Sequence, residues 1–473
     1  MEFLTILPEI LLIVLAAVLL VVDLRLKREH KEVLAYVTFG GLALIFVLAV
    51  VFNRPEAGAG TAIWGGMLRH DLLAFVFRLV FLAGAALTSL LAVEWETVSK
   101  RGEFYILLVV STLGMNLMAS AGNLVMLFIS IETASIPLYA MAGFMKDDEK
   151  STEAGFKYLL FGAMTSAVML YGFSLMYGFA GTADIYALAD AFKSVPSVPL
   201  FASLVLVLVG FGFKISMAPM QFWAPDVYEG APTPITGFLS TASKAAGFSV
   251  LVRVLVTAFP LADWQIILAV ISAVTMTLGN LVALWQTNIK RMLAYSSIAH
   301  AGYILMAVAA GDQFGVSAML YYVITYLLTN LAAFGFVIVY YHQSGSDEIE
   351  DYAGLSRRNA ILAFGMLFTF LSLGGIPPLG GFFAKVLVFS AAVNSGLTWL
   401  AVIGVLNAVV GLYYYLNVLK MVYLKRQVGD TVPMPVNPVH ALVLVICVIG
   451  VVMMGTVMAP WFQLTTQAAS SLF

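Results

Sequence analysis

The chain has 473 residues and a formal net charge of −2, with 11% charged against 62% hydrophobic residues and a mean hydropathy of +0.98. Soluble domains run near ~25% charged and ~45–50% apolar, so composition excludes a soluble globular protein and indicates an integral membrane protein. The near-neutral charge and the lack of a basic tract exclude a nucleic-acid role. The single cysteine, Cys447 in the apolar run VICVIG, excludes disulfides, thiolate zinc sites and iron–sulfur clusters ligated by this chain.

A membrane-crossing helix needs about 20 apolar residues. The N-terminus, MEFLTILPEI, is acidic, and its apolar run reaches Asp23 without a small-residue cleavage site, which predicts a retained first span and not a signal peptide. From there the pattern predicts an all-α polytopic membrane protein of about fourteen transmembrane helices. Their approximate ranges are 3–23, 33–52, 72–93, 105–120, 123–144, 154–178, 200–223, 232–258, 264–286, 292–310, 315–341, 359–391, 397–423 and 438–462. The longest predicted connections lie near 179–199, 342–358 and 424–437.

Basic residues favour the cytoplasmic loops. One set of loops holds fifteen of them, including Arg25, Lys100, Lys150, Lys290, Arg291, Arg357, Arg358, Lys425 and Arg426, whereas the opposite set holds Arg54, Arg69 and Lys193. This bias predicts both termini on the outer face. The remaining six cations, Arg78, Lys157, Lys214, Lys244, Arg253 and Lys385, fall inside predicted spans, where charge is costly and functional by default.

Span five carries Glu132 in LFISIETASIPLYA, the only acidic residue so deep in an uninterrupted span. Either it is a carboxyl that ties helices together, or it is a working charge paired to one of the six cations. In span six, Lys157 sits one turn in, and snorkelling to the interface is as good a reading as a role in transport.

The stretch 210–248, GFGFKISMAPMQFWAPDVYEGAPTPITGFLSTASKAAGF, places four prolines and Lys214, Asp226, Glu229 and Lys244 in an oily region. Proline removes a backbone donor and breaks helices, and the freed carbonyls need protein or water partners. A broken helix lining a polar cavity is predicted at span seven, with Lys214 before the prolines and Lys244 mid-way along span eight. Burial weakens a lysine's hold on its proton and a nearby carboxylate restores it, so moving the carboxylate toggles the lysine. Asp226 and Glu229 read equally as solvated capping carboxylates or as coupling groups. Arg78 and Arg253 cannot release a proton at useful pH and read as fixed charges that pair or snorkel.

In span ten, His300 lies in KRMLAYSSIAHAGYILM and is the one histidine of five well inside a span. Two readings stand: a packed, hydrogen-bonded histidine, or a proton relay with Ser296, Ser297 and Tyr303 at helical spacing. Span twelve, FTFLSLGGIPPLGGFFAKVLVF, is broken again by glycines and prolines ahead of Lys385. Spans seven and twelve cross in opposite senses. Two interrupted, lysine-bearing spans so placed predict inverted five-helix repeats around a transport site. No phosphate loop or strand-flanked GxGxxG occurs, so no ATP or dinucleotide site is expected here.

FKISMAPMQFWAPDVYEGAPTPITGFLSTASKAAG, NIKRMLAYSSIAHAGY and GGIPPLGGFFAK closely resemble the antiporter-like membrane subunits of bacterial respiratory NADH:quinone oxidoreductase, complex I. The PDVYEGAPTP…STASK run is specific to the N-type branch of that family, whereas the other two motifs are shared with its Mrp sodium/proton antiporter members. The likeness spans essentially the whole chain. It implies proton translocation through Glu132, Lys157, Lys214, Lys244, His300 and Lys385. In that scheme Glu132 pairs with Lys214, Lys244 marks the midpoint of the route, Lys385 faces one exit, and Lys157 is the additional span-six lysine. It further implies partnership with other membrane-arm subunits in the bacterial inner membrane. The chain itself would hold no cofactor, with FMN, iron–sulfur clusters and quinone in partner subunits. The implied division is 1–104, peripheral helices; 105–258, a first antiporter-like half; 259–425, a second, inverted half; and 426–473, a C-terminal helix. Many relatives read PFHxW where this chain has Pro219-Met220-Gln221-Phe222-Trp223, so a mechanism that needs that histidine is in doubt here. Two rivals remain: a subunit of an Mrp-type antiporter, and a structural subunit whose charges only lock helices.

Overall fold

A computed structural model describes residues 2–56, 58, 60–426 and 432–473. Thirteen of its helices are long and apolar enough to cross a membrane, and two shorter apolar helices, Ala360–Gly374 and Gly380–Asn394, together supply one more crossing. The crossings are α1 (Leu7–Arg25), α2 (Val33–Phe52), α3 (Leu72–Leu91), α4 (Gly102–Ser120), α5 (Leu124–Ala142), α6 (Glu149–Ala180), α7a (Ser197–Ile215), α8 (Thr233–Ala258), α9 (Leu261–Ala283), α10 (Ile289–Ala310), α11 (Gln313–Ser344), α12a (Ala360–Gly374) with α12b (Gly380–Asn394), α13 (Thr398–Leu424) and α14 (Pro438–Thr456). A short helix, α7b (Trp223–Gly230), follows the break after α7a. Each predicted span therefore has its helix.

Helices α3, α8, α10 and α11 are buried along most of their length, whereas α1, α2 and α6 present large apolar side chains such as Leu20, Val47, Phe156 and Met164 outward. An apolar exterior around a polar-bearing interior is what a hydrocarbon solvent requires, since only helices satisfy every backbone group there.

Two features differ from the sequence-based expectation. The connection between α2 and α3 folds into an antiparallel hairpin, β1 (Thr61–Ile63) with β2 (Leu68–His70), turned by Gly65 and Gly66, both at positive φ, as hairpin turns demand. The last predicted span, 438–462, ends at Thr456, and the chain re-enters a separate helix, α15 (Met458–Ala469), beyond Val457. Pro460 in its first turn suits a helix start and could not continue α14. The predicted connection 424–437 lies partly outside the described residues.

A row of buried lysines at two broken helices

At the first break, α7a ends at Ile215, and Ser216 adopts a left-handed conformation with φ 60°. The backbone groups freed in the break find side-chain partners. Trp223 Nε1 donates to Phe213 O at 3.1 Å, and Ala218 N donates to Thr275 Oγ1 at 3.0 Å. At the second break Gly375 takes φ +83°, and a Cβ there would sit 2.8 Å from Lys385 Cδ, so both backbone and contact call for glycine. Lys385 Nζ donates to Leu373 O at 2.9 Å and Gly374 O at 3.0 Å. The last carbonyls of α12a thus receive a cation at a helix C-terminus, where its charge is favoured.

The six cations inside the spans divide into two classes. Arg78 donates to Glu9 Oε1 at 3.0 and 2.6 Å and also bonds Asn53. Arg253 holds Asp71 through two bonds, at 2.7 and 3.0 Å, and reaches the Tyr186 hydroxyl. Lys157 pairs with Glu153 and Asp226. These three carry carboxylate partners. The other three are held by neutral oxygens: Lys214 Nζ by Ser135 Oγ at 2.6 Å, Lys244 Nζ by Ser297 Oγ at 2.6 Å and Ser297 O at 3.0 Å, and Lys385 by the carbonyls above. All three are nearly inaccessible, and among the described residues none forms an ion pair.

Glu132 does not pair directly with Lys214. Its Oε1 accepts from Ser166 Oγ of α6 at 2.6 Å, while Lys214 takes Ser135, one turn further along α5. The carboxylate and the ammonium are therefore held by two different serines, Ser166 of α6 and Ser135 of α5. Glu132 is only half-buried, on the flank formed by α5 and α6. The α7a and α8 helices meet closely because Gly247, one turn past Lys244, leaves no room for a Cβ against Ile215 and Lys214. A π-helical turn, Leu239–Ser243, delivers Lys244 onto α10. Such turns recur at functional positions because they re-aim the side chains after them.

His300 is fully hydrogen-bonded, though not as helical spacing predicts. Its Nδ1 bonds the Tyr322 hydroxyl at 2.8 Å and its Nε2 the Tyr415 hydroxyl at 3.1 Å, and its ring stacks on Tyr326 at 4.9 Å. Ser296 joins this chain through Tyr415. Ser297 serves Lys244, and Tyr303 accepts from Asn280 at 3.0 Å. Tyr303 also lies beneath Lys385, 5.2 Å from Nζ to the ring. The same ring meets His300 edge-on at 5.8 Å, so one tyrosine touches both His300 and Lys385. Tyr322, Tyr326 and Tyr415 were missed by sequence reasoning, because a tyrosine in an apolar helix looks like any core aromatic.

Lys157 lies apart from this row. Its partners Glu153 and Asp226 line, with Lys150, Glu229 and Arg291, a polar hollow at the end of the bundle where α6, α7b and α10 meet. Asp226 and Glu229 are thus ion-paired: Asp226 to Lys157 and Arg291, Glu229 to Lys150 at 2.7 Å and Arg291 at 2.7 Å. A second polar cavity of about 310 Å³ adjoins it, lined by Lys150, Glu229, Asn288, Lys290, Asp347 and neighbours. Lys290 Nζ caps α7b by donating to Glu229 O at 2.6 Å and Ala231 O at 3.0 Å. The next residue toward the interior, Tyr228, lies 5.8 Å from Lys244 Nζ across its ring.

Asp347, in the connection outside the spans, is pushed above the usual carboxylate range by burial, with Lys290's charge acting the other way. Its carboxyl therefore binds a proton more tightly in the folded chain than in the unfolded one. Stability falls as pH rises from the ordinary carboxylate range through the folded value. Asp347→Asn is expected to raise the thermal midpoint at neutral pH, with the gap to the parent closing near pH ~4. Unfolding curves across pH check this, and a gap that stays constant with pH contradicts it.

Many apolar crossings, two interrupted helices and three buried lysines held by neutral oxygens define an antiporter-like membrane subunit. The family described as NADH:quinone oxidoreductase/Mrp antiporter, transmembrane, matches residues 121–411. A curated relative, "NADH-quinone oxidoreductase subunit N" of Moorella thermoacetica, is 42% identical over 472 residues, 98% of each chain. A chain of respiratory complex I from Thermus thermophilus superposes with a TM-score of 0.82 at 33% identity, over 96% of this chain and 98% of that one. A chain of the Mrp complex from Dietzia sp. gives 0.88 at 18% identity, over 100% and 97%, a likeness of fold alone. The chain belongs to the NADH:quinone oxidoreductase/Mrp antiporter transmembrane family.

Proposed function

We propose that this chain translocates protons as a membrane-arm subunit of a bacterial NADH:quinone oxidoreductase. The observation that carries the reading is the three buried lysines of the spans held by neutral oxygens. A lysine bonded to a hydroxyl or carbonyl can gain or lose a proton without breaking an ion pair, whereas a carboxylate-paired arginine cannot. Protons are taken up through the polar cavity lined by Lys290 and Asp347 and reach Lys244 past Tyr228. They pass by way of His300, Tyr322 and Tyr415 to Lys385. A charge change delivered to the half-buried Glu132 by a neighbouring subunit alters Lys214's environment, and Lys214 in turn biases Lys244. Lys157 acts with Asp226 at the uptake face.

The division 1–104, 105–258, 259–425 and 426–473 follows from this scheme, with Lys214 and Lys385 at equivalent breaks of inverted five-helix halves. The excess of basic residues on the Lys290 side supports a cytoplasmic orientation for that face and outer-facing termini in the inner membrane. FMN, iron–sulfur clusters and quinone belong to partner subunits, since Cys447 is a lone buried thiol that cannot hold a cluster. Whole-length identity to quinone oxidoreductase subunits favours this reading over an Mrp-type antiporter, for which likeness extends to fold alone.

The test is a mild-detergent pull-down of the tagged chain from its own membranes, assayed for bound flavin, iron–sulfur absorbance and NADH oxidation. Co-purification of the redox centres is expected. Recovery only with other antiporter-like subunits, together with sodium-dependent proton flux and no redox activity, overturns it.

A further inference from the structure

One carboxamide sits where α9, α10 and α13 meet. Asn280 is 1% exposed, and both ends of its amide are engaged. Its Nδ2 donates to Met276 O at 2.9 Å, to the Tyr303 hydroxyl at 3.0 Å and to Asn407 Oδ1 at 3.3 Å. Its Oδ1 accepts from the Tyr414 hydroxyl at 3.0 Å. Met276 O can only accept, so the amide cannot be turned over. Asn407 is fixed in the same way: its Nδ2 donates to Ile403 O and Thr277 Oγ1, both at 3.0 Å, which leaves its Oδ1 toward Asn280. Gly411 makes the room, since a Cβ there would lie 3.1 Å from Asn280 Oδ1.

The two tyrosines lead on to two groups of the proposed proton route. Tyr303 lies 5.2 Å beneath Lys385 Nζ and edge-on to His300. Tyr414 packs on Tyr415 at 4.4 Å between ring centroids, and Tyr415 bonds His300 Nε2. We propose that Asn280 is a positioning residue for proton transfer between His300 and Lys385, its amide donor aiming Tyr303 and its carbonyl aiming Tyr414. A carboxamide has one donor end and one acceptor end, and each serves one of the rings. Helix packing has its own devices here. A Cβ at Gly279 or Gly302 would run into the facing backbone of Ala299 or Met276, and Asn407 already ties α13 to Thr277 of α9. The inference rests on the proton route proposed above.

The experiment measures NADH-driven proton uptake by inverted membrane vesicles, across pH, in Asn280→Leu, Tyr303→Phe, the double variant and Lys385→Met. Asn280→Leu keeps the shape of the side chain and loses both bonds. It is expected to slow uptake about tenfold, as loss of a group that only orients a working one does. Tyr303→Phe severs the same link while the amide keeps Met276 O and Asn407 Oδ1, so it carries the test if the leucine variant does not assemble. The double variant is expected to be no slower than the slower single one, because both changes remove one link. In each, the alkaline limb of the profile is expected to move to lower pH by roughly half a unit, since freeing the ring withdraws its negative face from beneath the ammonium. A mere tether between helices would lower the amount of assembled complex and leave the pH profile of the remainder unchanged, and that result overturns the proposal. Losses that multiply in the double variant do so too. Impaired uptake in Lys385→Met beside parental uptake in Tyr303→Phe overturns the role of Asn280 alone. Unimpaired uptake in Lys385→Met sinks the proton route and this inference with it.

Discussion

Replacing Lys244 by methionine or arginine is expected to lower NADH-driven proton translocation by about a hundredfold or more, the scale on which positioned proton-transfer groups contribute. Assembly is expected to survive in the methionine variant. Lys244 sits deep among α8, α10 and α11 with its ammonium on Ser297 and no carboxylate beside it. A charge held without a counter-ion in hydrocarbon destabilises the fold, so removing it is expected to leave the thermal midpoint unchanged or raised. That combination, stability kept and activity lost, separates a proton carrier from a helix lock. The arginine variant sharpens the contrast: it preserves positive charge but cannot release a proton at working pH. Proton uptake by inverted membrane vesicles driven by NADH measures both variants. Pumping at the parental ratio in Lys244→Arg means the residue supplies charge alone, and the proposed route fails at its centre.

Much of the architecture was legible before any coordinates because hydropathy and helix breakers are local signals. The prolines of 219–234 and the Gly–Pro run of 374–381 lie in the breaks or at the helix starts that follow them, and every predicted span found its helix. The hairpin was passed over because an apolar-length rule has no sensitivity to three-residue strands, although Trp64-Gly65-Gly66 is a turn signal flanked by alternating residues. The break at Val457 escaped for a related reason: apolar residues continue across it, so composition alone runs α14 into α15. At the site the limits are different in kind. Which residues carry charge was readable, but not which oxygen each would meet. Glu132 and Lys214 look like an ion pair at the level of spans, yet Lys214 takes Ser135, one turn along α5, and Glu132 takes Ser166. Likewise His300's spacing to Ser296 and Tyr303 lies on its own helix, while its real partners arrive from α11 and α13. Sorting cations by the charge of their partners is a tertiary fact, and it is the fact on which the functional reading turns.

The sorted classes also predict where removal of charge should be ruinous. Asp71 is fully buried at the head of α3, where Oδ1 caps the helix by accepting from Ala74 N at 2.8 Å and both oxygens receive the Arg253 guanidinium. Asp71→Ala forfeits the cap, about 1 kcal/mol, and strands a buried arginine that cannot neutralise itself, roughly 3–5 kcal/mol. Assembly of the complex should collapse or its thermal midpoint fall sharply. The double variant Asp71→Asn/Arg253→Met removes both charges while asparagine can still cap, so most of the lost stability should return, because an ion pair taken out whole costs far less than one partner taken alone. A coupling energy near zero in that double-mutant cycle, or an Asp71→Ala complex that melts with the parent, contradicts the assignment. Either result would mean the Arg253–Asp71 bond is not what fastens the hairpin connection to α8, and the distinction drawn between fixed arginines and exchangeable lysines would lose its structural half.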